Sequence, residues 1–120
     1  MANTKIQKEF LDDELVAELT TTYTSDAAPA PTGNAKRNTM FVTALATNPT
    51  VGAPTGTPAA GNMIRLVITA TGSTRTVSYN AALTAGNITR TTSIPSGSTL
   101  CQIYSYINGA WKCQFDDITT

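Results

Sequence analysis

The stretch that decides the fold is "MIRLVITATGSTRTVSYN", residues 63–80, in which apolar and polar side chains alternate on either side of a Gly-Ser pair. Alternation with a period of two is typical of a β-strand that buries one face. Gly72 and Ser73 fit the two-residue loop of a hairpin, a II′ turn with glycine in the first central position. This loop pairs Ile68 with Val77, and it predicts a hairpin with one apolar face and one face of hydroxyl and charged side chains.

Arg75 is the exception to this alternation. It falls on the apolar side of the predicted hairpin, beside the turn. There its guanidinium can reach solvent or bind a carbonyl or carboxylate group. We therefore interpret Arg75 as a structural anchor of the turn and not as a catalytic group.

The rest of the C-terminal part also has the composition of strands. The predicted strands are residues 39–46, 63–71, 74–80, 88–94, 100–107 and 111–115. Asn108-Gly109 is a hairpin signal; a two-residue loop places Tyr106 opposite Trp111, and a three-residue loop remains an alternative. Residues 48–62 contain three prolines and three glycines, which predicts a long surface loop. Short strands with this punctuation predict an all-β domain, an antiparallel β-sandwich or small barrel.

The N-terminal part has a different character. Residues 8–19 contain good helix formers and an apolar stripe, which predicts a short amphipathic helix. The stripe consists of Phe10, Leu11, Leu15, Val16 and Leu19. So short a helix is marginal alone, and its stripe needs a partner surface. Residues 20–38 contain two prolines and a glycine, which predicts an extended arm. We divide the chain into an arm with a short helix, residues 1–38, and a β domain, residues 39–120.

The composition argues against an enzyme or a cofactor protein. The chain has no histidine, which removes Ser-His-Asp and Cys-His catalysis and the commonest metal ligand. Asp116 and Asp117 are adjacent, so on a strand they point to opposite faces and make a poor acid-base pair. Cys101 and Cys113 lack the spacing of a zinc site, and either hairpin register keeps them too far apart for a disulfide. We expect no catalytic, metal or cofactor residues, and free cysteines.

The charges suggest protein partners. The net charge is zero, yet six acidic residues lie between residues 9 and 26, while every charge from residue 36 to residue 112 is basic. An acidic arm on a mildly basic body can dock onto a neighbouring copy or onto another protein. The basic residues are scattered singly, which argues against nucleic-acid binding. No stretch is apolar enough to span a membrane, so we expect a soluble protein made in a cytoplasm.

Three segments resemble pieces of tailed-bacteriophage structural proteins: "GNMIRLVITATGSTRTVSYNAAL" at 61–83, "SIPSGSTLCQIYSYINGAWKC" at 93–113 and "MANTKIQKEFLDDELVAEL" at 1–19. The resemblance is to a β-domain module of head decoration, cement, fibre and tail proteins. In that module an apolar strand turns through Gly-x-x-Arg-Thr into a strand that ends in an aromatic residue, and a later strand carries a Trp after a turn. The positions that match as structural anchors are Gly72, Arg75, Tyr79 and Trp111.

The resemblance implies a structural component of a phage virion that is assembled in the host cytoplasm. The chain lacks fibre repeats and a long stalk, which favours a capsid decoration (cement) protein over a tail spike. Its implied partners are itself, as a homotrimer, and the major capsid protein or other virion proteins. The alternatives are a tail, fibre or neck adaptor, or a host-carbohydrate-binding module that uses Tyr104, Tyr106 and Trp111; packing of these aromatics in the core is the favoured interpretation.

Overall fold

The structure, a computed structural model, describes residues 18–120, and these form ten β-strands and no helix. The strands are β1 (Glu18–Tyr23), β2 (Arg37–Leu45), β3 (Thr50–Val51), β4 (Met63–Ala70), β5 (Arg75–Thr76), β6 (Ser78–Tyr79), β7 (Leu83–Thr84), β8 (Ser93–Ile94), β9 (Thr99–Ile107) and β10 (Ala110–Thr119). Most of the predicted helix lies outside the described residues. Its last two residues, Glu18 and Leu19, begin β1, so the helix prediction is wrong there. Three β-branched threonines follow them, and such residues favour a strand.

Six strands form one mixed sheet in the order β1-β2-β4-β9-β10-β7. β1, β2 and β4 run parallel, β9 is antiparallel to both β4 and β10, and β7 is parallel to β10. The all-β class is therefore confirmed, whereas the purely antiparallel arrangement is wrong. Parallel neighbours require a crossover of about a dozen residues. The connections at 24–36 and 46–62, 13 and 17 residues long, meet that requirement.

One face of the large sheet, here called the inner face, holds the core. The alternation predicted for residues 63–70 is confirmed, since Ile64, Leu66, Ile68 and Ala70 are all fully buried. Two small sheets, β3 with β6 and β5 with β8, add buried side chains to the same apolar cluster. The body therefore has two layers, a six-stranded sheet and a layer of short strands and loops packed on its inner face.

The hairpin predicted at Gly72-Ser73 is wrong. Ile68 pairs with Val42 of β2 and Leu100 of β9, and not with Val77. Both edges of β4 are thus occupied by other strands. Gly72 has a φ of 79°, and the Ser73 amide donates to the Thr71 carbonyl at 2.9 Å, which makes a tight three-residue turn. Beyond this turn the chain leaves the large sheet, and β5 pairs with β8.

The second predicted hairpin is confirmed in its two-residue form. Asn108 and Gly109 have φ angles of 52° and 76°, and Trp111 lies opposite Tyr106. Positive φ at both central residues matches the twist of the flanking strands. One extra residue, Gln114, forms a bulge in β10. Because of this bulge, Asp116 falls on the inner face and Asp117 on the opposite one, in agreement with the predicted divergence of the two carboxylates.

The two crossover connections bind each other through their backbones. Four hydrogen bonds of 2.8–2.9 Å join residues 27–33 of the first to residues 50–55 of the second. Pro29, Pro31 and Ala35 are buried beneath these contacts. The segment predicted as an extended arm is therefore packed on the body from residue 18 onward, and the long loop at 48–62 is its partner.

Candidate functional site

The face of the large sheet opposite the core, here called the outer face, is not covered by the second layer of the body. Its side chains are exposed or only partly buried, in alternation with the buried inner side chains of β2, β4 and β9. Several of them are apolar. The outer patch consists of Phe41, Met63, Val67, Cys101, Ile103 and Phe115. Met63 is 38% exposed and Phe115 45%, which makes them two of the three most exposed large apolar side chains between residues 18 and 120.

The strand register makes the outer patch continuous. Phe41, Val67 and Cys101 form one cross-strand row, and Ile103 and Phe115 belong to the next. Neighbours in such rows lie about 5 Å apart, within contact distance of one another. A single exposed apolar residue needs no explanation, whereas contiguous apolar groups on a surface are a common feature of interaction sites.

An arginine interrupts the patch. Arg65 shares the row of Ile103 and is exposed. The one ion pair formed within residues 18–120 joins Glu18 to Arg37 at 2.7 Å, with side chains 60% and 63% exposed. So exposed a pair adds little stability. Arg65 has no acidic partner in this part of the chain, and it offers a positive charge in the middle of an apolar surface.

A shallow cavity of about 280 Å³ borders the patch. It lies where β1, β2 and β4 begin, and it is lined by Glu18, Leu19, Thr20, Arg37, Asn38, Thr39, Met63, Ile64, Arg65 and Ile103. β1 begins with Glu18 at this same end of the sheet. The cavity therefore lies beside the first of the described residues.

Strand β1 forms one edge of the large sheet, because β2 is its one partner among the described strands. Its sequence, ELTTTY, contains no proline or lysine, and its register with β2 has no bulge. Prolines, lysines and bulges are usual features that keep an edge strand from pairing with another chain, and β1 has none of them. Leu19 of the predicted interface stripe lies half-buried on this strand; the other four stripe residues, Phe10, Leu11, Leu15 and Val16, are outside the described residues.

A polar cluster occupies the inner face near the bulge. The Asp116 carboxylate accepts hydrogen bonds from the Thr91 amide at 2.8 Å, the Thr91 hydroxyl at 2.6 Å and the Gln102 side-chain amide at 2.7 Å. The same amide of Gln102 donates to the Tyr79 hydroxyl at 2.8 Å. No buried polar side-chain atom between residues 18 and 120 lacks a partner. A fully satisfied network of this kind fixes a unique packing.

Arg90 contacts both tyrosines of the polar cluster. It donates to the Leu83 carbonyl at 2.6 Å and to the Tyr104 hydroxyl at 3.2 Å, and its guanidinium lies 4.1 Å from the Tyr79 ring centroid. Desolvation by burial raises the pKa of Tyr79 to about 12 and raises that of Tyr104 further. Both phenols therefore stay protonated at neutral pH and act as hydrogen-bonding groups, which suits a structural role.

The aromatic residues considered for sugar stacking are mostly inside. Tyr104 is fully buried and Trp111 is 4% exposed, while Tyr106 is partly exposed and packs on Trp111 with ring centroids 5.0 Å apart. Gly33 lies so close that a Cβ atom there would be 2.8 Å from the Trp111 ring. The interpretation of Tyr104 and Trp111 as core residues is confirmed by their burial.

The four positions that resemble anchors of the phage β module, Gly72, Arg75, Tyr79 and Trp111, lie in three parts of the fold. Gly72 and Arg75 share the turn after β4, where the Arg75 guanidinium donates to the Thr71 carbonyl at 2.7 Å and 3.1 Å. Tyr79 belongs to the polar cluster, and Trp111 packs beneath Gly33. Arg75 thus binds a carbonyl group, one of the two ligands expected from the sequence.

The described residues form no candidate metal centre. No group of three or more His, Cys, Asp or Glu side chains between residues 18 and 120 is placed to hold a metal ion. Both cysteines are free, and burial raises the pKa of the Cys113 thiol. Over the same residues, no helix has the length and apolar character needed to cross a membrane.

Sequence reasoning missed two features, the outer patch and the polar cluster. Alternation along residues 63–71 predicts that Val67 lies on the polar face with Arg65, and it does not indicate that Phe41, Ile103 and Phe115 share that surface. The alternation along each strand contains the signal, but joining the strands into one surface requires their order in the sheet. Comparisons with protein-family models, curated proteins and solved structures found no match.

Proposed function

We propose that this chain is a structural component of a tailed-bacteriophage virion, a capsid decoration (cement) protein that stabilises the shell through contacts between subunits. The outer patch is the observation that carries the proposal. It is a contiguous apolar surface on a sheet face that residues 18–120 leave open. The resemblance of residues 61–83 and 93–113 to the β module of virion proteins supplies the class of partner.

The chemistry of the outer patch suits a protein partner. Phe41, Met63 and Phe115 are of the aromatic and methionine types that are enriched at protein interfaces, and so is Arg65 among the charged residues. None of the six patch residues is charged, and the charged Lys112 and Asp117 lie at the β10 side of the same face, in the rows of Met63 and Cys101. A stable interface buries about 800 Å² on each partner, so we expect the contact to extend from the patch onto the neighbouring edge of β1.

Cementing is a mechanical function that depends on repetition. A protein that binds the assembled shell and not its dissociated parts stabilises the shell by mass action, and many copies multiply the effect. A closed homotrimer that binds the major capsid protein is the assembly we propose, located in the virion and formed in the host cytoplasm. The same surface would also serve a tail or neck adaptor, which differs from a cement protein in its number of copies.

The direct test is quantitative mass spectrometry of purified particles of the phage that encodes the chain. We expect hundreds of copies per particle, with the chain retained on emptied heads. A handful of copies that separate with the tails would identify a tail or neck part instead. Particles without the chain would refute a virion role.

A truncation at residue 17 tests the role of the arm. Removing residues 1–35 would also remove β1 and the hydrogen bonds between residues 27–33 and 50–55, so it would disturb the fold. Removing residues 1–17 spares these contacts. We expect the shorter deletion to keep the β-sheet circular dichroism of the full chain and to abolish incorporation into particles. Unchanged incorporation would reject the arm as a gripping element.

A further inference from the structure

We propose that the outer patch binds the N-terminal segment, residues 8–17, of a second copy of this chain. The inference deepens the proposed function, on which it rests, by naming the partner of the surface. Three observations support it: apolar complementarity, charge complementarity, and the direction in which the chain enters the fold.

The N-terminal segment is predicted to carry an apolar stripe that needs a partner surface, and residues 18–120 leave the apolar outer patch open. Of the stripe residues that precede β1, Leu11 and Leu15 would share one face of a helix, while Phe10 and Val16 would lie about 120° to either side of it. A helix over residues 8–17 would be about 15 Å long at 1.5 Å per residue. The patch extends over β2, β4, β9 and β10, about 14 Å at 4.8 Å per strand. The segment is therefore long enough to lie across the four strands of the patch.

The charges match as well. Residues 8–17 carry four carboxylates and one lysine, whereas the outer patch surrounds Arg65, an exposed cation without an acidic partner among residues 18–120. On a helix, Asp12 and Glu14 lie about 80° to either side of the line through Leu11 and Leu15, and Asp13 lies opposite it. Packing of the stripe onto the patch would bring one of these flanking carboxylates to Arg65. Partial burial strengthens such a pair relative to an exposed one.

The direction of the chain favours a second copy over the same molecule. Glu18, Arg37 and Met63 lie at the beginning of three parallel strands, so β1 enters the sheet from that end, and Phe41 and Val67 lie further along their strands. Covering its own patch would require the chain to reverse at this junction. Residues 14–23, ELVAELTTTY, contain no Gly, Pro, Asn, Asp or Ser, the residues that make turns.

The resulting contact joins two different surfaces, the segment of one copy and the patch of the next. Such head-to-tail contacts generate closed rings when the rotation between copies closes. A ring of three would give the homotrimer expected for this class of protein. Each copy would then supply the cover for its neighbour.

Disulfide trapping between two distinguishable chains tests the proposal directly. Cys101 lies in the outer patch, while Cys113 is buried on the inner face with 2% exposure. A tagged variant with Leu15→Cys and Cys101→Ser is mixed with the untagged natural chain, equilibrated to allow exchange, and oxidised with copper–phenanthroline. We expect a disulfide between the two chains, seen as a reducible band that carries the tag, with a peptide linking residues 15 and 101.

Two controls match this design. Asp13→Cys in place of Leu15→Cys puts the thiol on the opposite side of the predicted helix, and we expect a much lower yield because that side faces away from the patch. An untagged Cys101→Ser chain retains Cys113 alone and should give no crosslink.

The variant Arg65→Glu changes an exposed side chain, so folding should persist, and sedimentation should show a loss of the oligomer relative to Arg65→Lys.

Each outcome decides the question. A crosslink between tagged and untagged chains supports the proposal. A link formed solely within one chain, in a single variant carrying Leu15→Cys and the natural Cys101, would overturn it in favour of self-covering. No link in either arrangement would overturn it in favour of another occupant, such as the capsid shell. The copy number in particles is measured separately. A negative crosslinking result therefore does not affect the proposed virion role, which depends on that measurement.

Discussion

Replacing Asp116 with alanine should destabilise the fold far more than replacing it with asparagine. The carboxylate accepts one hydrogen bond from Gln102, which is fully buried, and two from Thr91, which is partly exposed. Alanine leaves one N–H of Gln102 without a partner inside the protein. Water can replace the bonds of Thr91 more easily.

The expected magnitude follows from these two environments. Losing a hydrogen bond to a charged group and stranding a buried donor costs about 2 kcal/mol, and the partly exposed contacts add about 1 kcal/mol. The free energy of unfolding of Asp116→Ala should therefore fall by about 3 kcal/mol. For a domain of this size the midpoint of thermal unfolding should fall by roughly 10 °C.

Asparagine preserves the pattern of donors and acceptors. Its amide oxygen, at the position of Oδ2, can accept from the Thr91 amide and from Gln102. Its NH₂ group, at the position of Oδ1, can donate to the Thr91 hydroxyl, which both donates and accepts. The loss is then mainly the charge, and we expect about 1 kcal/mol.

Urea unfolding of both variants, monitored by circular dichroism, measures these differences. Asp117→Ala is the matched control, since Asp117 is exposed on the outer face and should change stability by less than about 0.5 kcal/mol. Equal losses for Asp116→Ala and Asp116→Asn would refute the reasoning, because they would show that the charge and not the geometry stabilises the fold. A loss below about 0.5 kcal/mol for the alanine variant would show that the network adds nothing.

Three further predictions concern other contacts. Arg75→Ala should lower the free energy of unfolding by about 1 kcal/mol, through loss of its bonds to the Thr71 carbonyl, as measured in urea against Arg75→Lys; an alanine variant that unfolds and assembles normally would show that Arg75 is no anchor. Gly33→Ala should cost about 1–3 kcal/mol, because its new methyl group meets the Trp111 ring at 2.8 Å, and a stable variant with unchanged Trp fluorescence would contradict this packing. The pKa of Tyr79 is about 12 in the folded chain and near 10 when unfolded, so the unfolded state loses its proton first and stability should fall between pH 10 and 12; Tyr79→Phe should weaken that fall, and a pH-independent midpoint of unfolding would contradict it.

Much of the fold could be predicted from local patterns. Strands β2, β4 and β9, the buried face of β4 and the two-residue turn at Asn108-Gly109 all depend on alternation or on turn residues within a few positions of each other. Alternation with a period of two identifies the side chains that share one face of a strand. Local patterns therefore gave the class of the fold and one strand pairing.

The pairing partners of β4 could not be predicted in the same way. The alternation of residues 63–70 is equally satisfied by a hairpin with residues 74–80 and by the observed neighbours β2 and β9. The choice depends on contacts distant in sequence, including the backbone hydrogen bonds between the two crossovers. The polar cluster could not be predicted for a related reason. The bulge at Gln114 places Asp116 on the inner face, where it binds Thr91 and Gln102.

The order of strands in the large sheet has a consequence for synthesis on the ribosome. The central strand β4 receives one neighbour, β2, from upstream and the other, β9, from residues 99–107 near the end of the chain. At about 5–20 residues per second, residues 63–70 wait on the order of seconds for β9 to be made. The apolar inner faces of β2 and β4 stay without their β9 neighbour during that wait, so the centre of the sheet is completed only after residues 99–107 have been made. Low temperature, slow expression or a holding chaperone should therefore raise the soluble yield of the protein.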